Sequence, residues 1–140
     1  MMISQRYGFN IPQNVANVNN CYLDRFVLRE NTDGVLQVRQ SAPGYPFDNA
    51  MQLNVTTADT SLAGGQYARI QYYVEGHDAR SVDWGKSGSK DHLTLSFWVK
   101  SDIIGTYSGS FWNGGQSYTH VFEYQIFGNV INVSDRHFCF

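Results

Sequence analysis

Residues 93–100 read Leu-Thr-Leu-Ser-Phe-Trp-Val-Lys. Successive side chains of an extended strand point to opposite faces, so Leu93, Leu95, Phe97 and Val99 share one face. Thr94, Ser96, Trp98 and Lys100 share the other. The same period of two recurs toward the N-terminus, where Met51, Leu53 and Val55 alternate with Gln52, Asn54 and Thr56. It recurs again where Ala68, Ile70, Tyr72 and Val74, the more apolar set, alternate with Tyr67, Arg69, Gln71, Tyr73 and Glu75. Residues 21–28 and 35–40 read as two further strands, with Asn31-Thr32-Asp33-Gly34 between them as a hairpin signal. Residues 106–112 and 118–126 read as another pair, joined across Asn113-Gly114-Gly115. No stretch of ~10 residues carries a 3.6-residue period.

Composition points the same way. Three Trp, nine Tyr and nine Phe make up 15% of the 140 residues, whereas Lys and Glu, which carry surface helices, number three each. Aromatic and β-branched residues beside thirteen Gly favour strands and tight turns. The sequence therefore predicts an all-β fold: an antiparallel two-sheet β-sandwich, jelly-roll-like, of the size of one domain. Residues 1–20, rich in Asn and poor in apolar side chains, read as an extended arm. Residues 21–126 form the sandwich, and residues 127–140 a C-terminal tail.

Charge and motif exclude several functions. Ten basic against twelve acidic side chains leave −2, without the basic patch that nucleic-acid binding requires. No apolar run approaches the ~18–20 residues of a membrane span, and the first residues lack the pattern of a secretion signal. Cys21 and Cys139 lie near opposite ends of the chain and read as unpaired thiols, with one long disulfide as the alternative. His77, His92, His120 and His137 are scattered, without zinc-ligand spacing. Asp24, Asp33, Asp48 and Asp59 lack a calcium-loop pattern. Neither a Gly-x-Ser-x-Gly elbow nor a phosphate loop is present, and no pair of acids is singled out for glycosidase chemistry. The expectation is a protein that is not an enzyme and uses no metal or cofactor.

Several of these segments in order carry a resemblance. Asp24-Arg25-Phe26, Val35-Leu36-Gln37-Val38 with Arg39-Gln40, residues 67–76 (YARIQYYVEG), residues 93–101 (LTLSFWVKS) and Gly105-Thr106-Tyr107-Ser108-Gly109 follow one another at the expected spacing. Over residues 24–126 the chain resembles a jelly-roll domain of bacteriophage tail-fibre, tailspike and related virion proteins. It is also similar to domains of marine bacterial proteins grouped with carbohydrate-binding modules. The resemblance implies a non-catalytic domain on a virion surface or appendage that attaches to carbohydrate or packs on other virion subunits, as a homo-oligomer. Members of that group continue past the strand at 118–126. A neighbouring subunit is therefore expected to supply the missing strands and to cover both the open edge and the Phe138 and Phe140 tail.

Sugar binding needs flat aromatic faces for pyranose C–H groups and planar polar side chains for the hydroxyls. Trp98 lies on the polar side of the strongest strand, and Trp84 lies in the long Gly-containing loop that follows residue 75. Arg69, Tyr73 and Glu75 share the polar side of the preceding strand. These five are the candidate carbohydrate-binding residues. Each also has a structural reading: Trp98 in a second apolar layer, Trp84 as a loop pin, Arg69 and Glu75 as solvated edge charges. Trp112 and Tyr118 read as cross-strand partners flanking the Gly-Gly turn.

Overall fold

The structure of the protein, a computed structural model, describes residues 5–17, 20–44, 47–79, 93–128 and 131–138. Ten strands and one helical turn lie among them. They are β1 (Gln13–Asn14), β2 (Asn20–Leu23), β3 (Phe26–Glu30), β4 (Val35–Ser41), β5 (Ala50–Thr57), β6 (Ala68–Tyr72), α1 (Gly76–Ala79), β7 (Leu93–Val99), β8 (Gly105–Trp112), β9 (Thr119–Ile126) and β10 (Ile131–Phe138). The strand pairings among the described residues are antiparallel, and the fold is all-β. The chain divides into two compact units, Met1–Val74 and Glu75–Phe140.

In the first unit, one sheet has the order β1-β4-β5 and the other β2-β3-β6. One apolar cluster draws on both: Tyr22, Leu23 and Leu28 from the second sheet, Val38 from the first, and Val15 just after β1. Tyr7, Phe26, Leu36 and Met51 pack around it. Burying a side chain such as Leu28, which is 0% exposed, is worth roughly 1.5–3 kcal/mol.

Asn31-Thr32-Asp33-Gly34 is not a hairpin turn. It carries the chain from one sheet to the other, because β3 pairs with β2 and β6 while β4 pairs with β1 and β5. The hairpin lies earlier, inside the run expected to be a single strand. β2 and β3 pair with each other across Asp24-Arg25, with Arg25 at φ 69°. Side chains brace the crossover: Glu30 accepts from the Thr32 backbone and hydroxyl, Asp33 N–H donates to Asp59 at 3.0 Å, and Asn31 Oδ1 accepts from Tyr67 N–H at 2.7 Å.

The expected sides of the strand at 67–75 are also reversed in burial. Gln71 is 8% exposed and Arg69 half-buried, while Ile70 is 42% and Tyr72 47% exposed. Gln71 stands opposite Val27 and Ile70 opposite Leu28, and β6 is the outer strand of the β2-β3-β6 sheet, so Ile70 and Tyr72 have a paired strand on one side only.

The arm of residues 1–20 is not a free extension over its described part. Val15 N–H donates to Leu36 O at 2.8 Å, Asn10 N–H to Gln40 O at 3.0 Å, and Gln13 and Asn14 pair with Val38 and Gln37.

In the second unit, β8 and β9 pair without a register shift from Gly105↔Ile126 to Trp112↔Thr119. Asn113 closes their turn: its Oδ1 accepts from Ser117 and Tyr118 N–H, and its Nδ2 donates to Ser117 Oγ. Rings line one side of the pair, with Tyr107 stacked on Tyr124 at 5.7 Å and Phe111 against Phe122 at 5.7 Å. Phe97 of β7 meets Tyr124 edge-on at 5.3 Å. The C-terminal tail contributes a strand to its own chain: β10 pairs with β7, Ile131 opposite Val99 and Phe138 opposite Leu93, with a bulge between Val133 and Arg136. Phe140 lies outside the described residues.

Candidate functional site

Trp98 sits on β7 directly opposite Asn132 and is 54% exposed. Thr94 and Ser96 stand exposed on the same side, and Lys100 just past the strand end; Leu95, Phe97 and Val99 on the other side are half-buried. The alternation read from the sequence thus turns Phe97 into the ring cluster and presents Trp98 outward. The strand sets the side from which the indole projects, and an exposed indole can stack on a flat apolar face, with flanking hydroxyls for polar contacts.

Arg69 lies on β6 with its guanidinium carbon 4.6 Å from the centroid of the Tyr67 ring. Arg29 of β3 is its direct cross-strand partner and stands 5.8 Å from the same ring. Asn17 Oδ1 accepts a 2.9 Å hydrogen bond from Arg29 Nε. Alternation already sets Tyr67 beside Arg69, whereas Arg29 was not legible there, since only the strand register brings position 29 beside position 69.

Tyr73 is exposed just beyond the end of β6. Glu75, also exposed, begins the second unit ahead of α1. Trp84 lies outside the described residues. Of the five candidates, Arg69 and Tyr73 therefore belong to the first unit, and Glu75 and Trp98 to the second.

The remaining polar chemistry is structural in character. The Glu30 and Asp59 carboxylates hold loop backbone, Asp59 accepting from Asp33 and Ser61 N–H. Tyr124 has its hydroxyl pKa pushed above the ordinary value, first by burial and then by neighbouring Tyr107. Cys21 carries a free, exposed thiol; Cys139 lies outside the described residues. Among the described residues no group of three His, Cys, Asp or Glu side chains is placed to hold a metal ion, and no helix is long and apolar enough to cross a membrane.

The sequence also passed over several exposed apolar side chains. Ile103 and Ile104 precede β8, and Phe127 follows β9. Because Gly105 pairs with Ile126, positions 104 and 127 lie at the same end of the hairpin. Tyr118, at the opposite end, is exposed rather than packed across the turn. Compared with protein-family models, curated proteins and solved structures, the chain matches none.

Proposed function

We propose that this chain is a non-catalytic attachment domain of a virion surface or tail-fibre-type appendage that binds carbohydrate, with Trp84, Trp98, Arg69, Tyr73 and Glu75 as its candidate contact residues. A jelly-roll-like closure of its sheets and assembly as a homo-oligomer belong to the same proposal. The observation that carries it is Trp98. Tryptophan is highly buried on average, yet this indole is 54% exposed, and Thr94 and Ser96 stand on the same side of β7. An open aromatic plane with hydroxyls near it suits pyranose recognition.

A glycan array followed by binding calorimetry against host-derived polysaccharide tests the reading. Trp98→Ala and Trp84→Ala are each expected to weaken binding about tenfold or more, as for a buried aromatic anchor worth ~2 kcal/mol. Unchanged affinity in both variants removes these residues from the site.

A second reading has its own support. Ile103, Ile104 and Phe127 form exposed apolar surface at one end of a hairpin, of the kind that marks protein contacts. In that reading the chain is an architectural capsid-decoration or tail protein docked on other virion subunits. Ile104→Asp would then abolish co-sedimentation with virion particles while leaving the circular dichroism spectrum of the folded chain unchanged.

A further inference from the structure

The β1-β4-β5 sheet turns one side to the core, where Leu36, Val38 and Met51 lie, and the other side away from it. Side chains alternate along a strand, so Gln37 and Arg39 of β4 project from the side opposite Val38. The register supplies their neighbours. Asn14 of β1 and Asn54 of β5 flank Gln37 in one row, and Gln52 stands opposite Arg39 in the next. Gln37 and Arg39 are half-buried, while Asn14, Gln52 and Asn54 are exposed. Four carboxamides and one guanidinium thus share an outward face, and among the described residues no carboxylate pairs with Arg39.

These groups hold one another. Gln37 Nε2 donates to Asn14 Oδ1 at 2.9 Å, and Arg39 Nε donates to Gln52 Oε1 at 2.9 Å. A long polar side chain fixed by a ligand loses up to ~2 kcal/mol of rotamer freedom. Here part of that loss is already taken in the free protein, which is what preorganisation means. Each bond engages one end of a group and leaves the other open among the described residues. Asn14 Nδ2, Gln52 Nε2 and the two Arg39 Nη groups remain as donors, Gln37 Oε1 as an acceptor, and the Asn54 amide as both.

That mixture decides the class of ligand. An ionised carboxylate only accepts hydrogen bonds, so it answers the donors and leaves Gln37 Oε1 unmatched. A hydroxyl both donates and accepts, and a run of hydroxyls answers every group on the face. Neighbouring strands lie ~4.8 Å apart, so the row from Asn14 to Asn54 spans about 10 Å, room for a disaccharide. We infer that the outward face of the β1-β4-β5 sheet binds the hydroxyls of an uncharged polysaccharide through Asn14, Gln37, Arg39, Gln52 and Asn54. The inference rests on the carbohydrate-attachment reading and gives it a surface built wholly within the first unit, whereas Trp98 belongs to the second.

Nuclear magnetic resonance of the full chain tests this directly, because side-chain amides give their own signals. An array first ranks neutral chains (cellohexaose, laminarihexaose and mannohexaose) against oligogalacturonate. Titration with the best neutral chain is expected to shift the side-chain amide signals of Asn14, Gln37, Gln52 and Asn54. Gln37→Ala and Arg39→Ala are each expected to weaken calorimetric binding about fivefold or more. Added salt should leave the affinity unchanged, since no ion pair is made. Circular dichroism checks that each variant is folded, and the titration of the parent chain decides the matter where a variant is not. Shifts confined to other residues, the Trp98 indole included, overturn the inference and leave the attachment reading in place. Unchanged affinity in both folded variants, or binding confined to the acidic chain, does the same. Binding to no glycan removes both.

Discussion

At the scale of single residues, backbone geometry settles what composition leaves open. Gly34 was legible as a special position, but its task is different from the hairpin turn its Asp-Gly setting suggests. A Cβ there would lie 2.7 Å from Thr57 O and 3.1 Å from Asp59 N, both backbone atoms that have little room to move. Gly34→Ala is expected to cost about 1–3 kcal/mol of stability in denaturant unfolding. Gly109 is reserved for a ring, since a Cβ there would overlap Phe122. Phe122 is itself flanked by Phe111 and Tyr124. Arg25 takes a left-handed conformation with no glycine or asparagine to announce it, and this is why the β2–β3 turn was invisible in the sequence. Tyr124 supplies a pH prediction. Its folded-state pKa lies above the unfolded value of 10.0, so its contribution to stability is complete below pH 10 and is lost as pH rises through the folded value. Alkaline unfolding followed by tyrosinate absorbance should show this loss, and Tyr124→Phe should blunt it. A variant with an unchanged alkaline profile would contradict the assignment.

At the scale of elements, periodicity was a sound guide to where strands run and a poor one to what they pair with. β7, β8 and β9 were all legible, because alternation and a Gly-Gly turn are local signals. The exchange of partners between β3 and β4 was not, since register is a property of two segments at once. β6 shows the same limit: Gln71 is buried and Ile70 exposed, the reverse of what alternation alone suggests. Burial decides the energetic weights. Leu28→Ala, at the centre of β3, is expected to lose about 2–5 kcal/mol, whereas Val55→Ala, 62% exposed on β5, should fall within about 0.5 kcal/mol. Denaturant midpoints of the two variants test this, and comparable losses would contradict the assigned core. β10 falls in the run that reads as a tail from the sequence, and the break in its apolar pattern at Ser134-Asp135-Arg136 coincides with the bulge. Ending the chain after Gly128 removes the partner of β7, so amide hydrogen exchange along Leu93–Val99 is expected to accelerate. Unchanged protection there would contradict the pairing.

At the scale of the whole molecule, the proposed role is attachment, and its candidate residues differ in how far the sequence alone could place them. Trp98 could be read as a site residue because its position in the alternation already put it outside. The place of Arg69 beside Arg29 could not, because it exists only once β3 and β6 are aligned. The most direct test of attachment without chemistry is calorimetry of the full chain with its best array ligand, followed by mass analysis of the recovered glycan. Saturable binding that Trp98→Ala weakens about tenfold, with every glycan chain recovered at its original mass, is the predicted result. Shortened or modified glycan, produced at a rate that falls when Glu75 or Glu123 is changed to Gln, would contradict it.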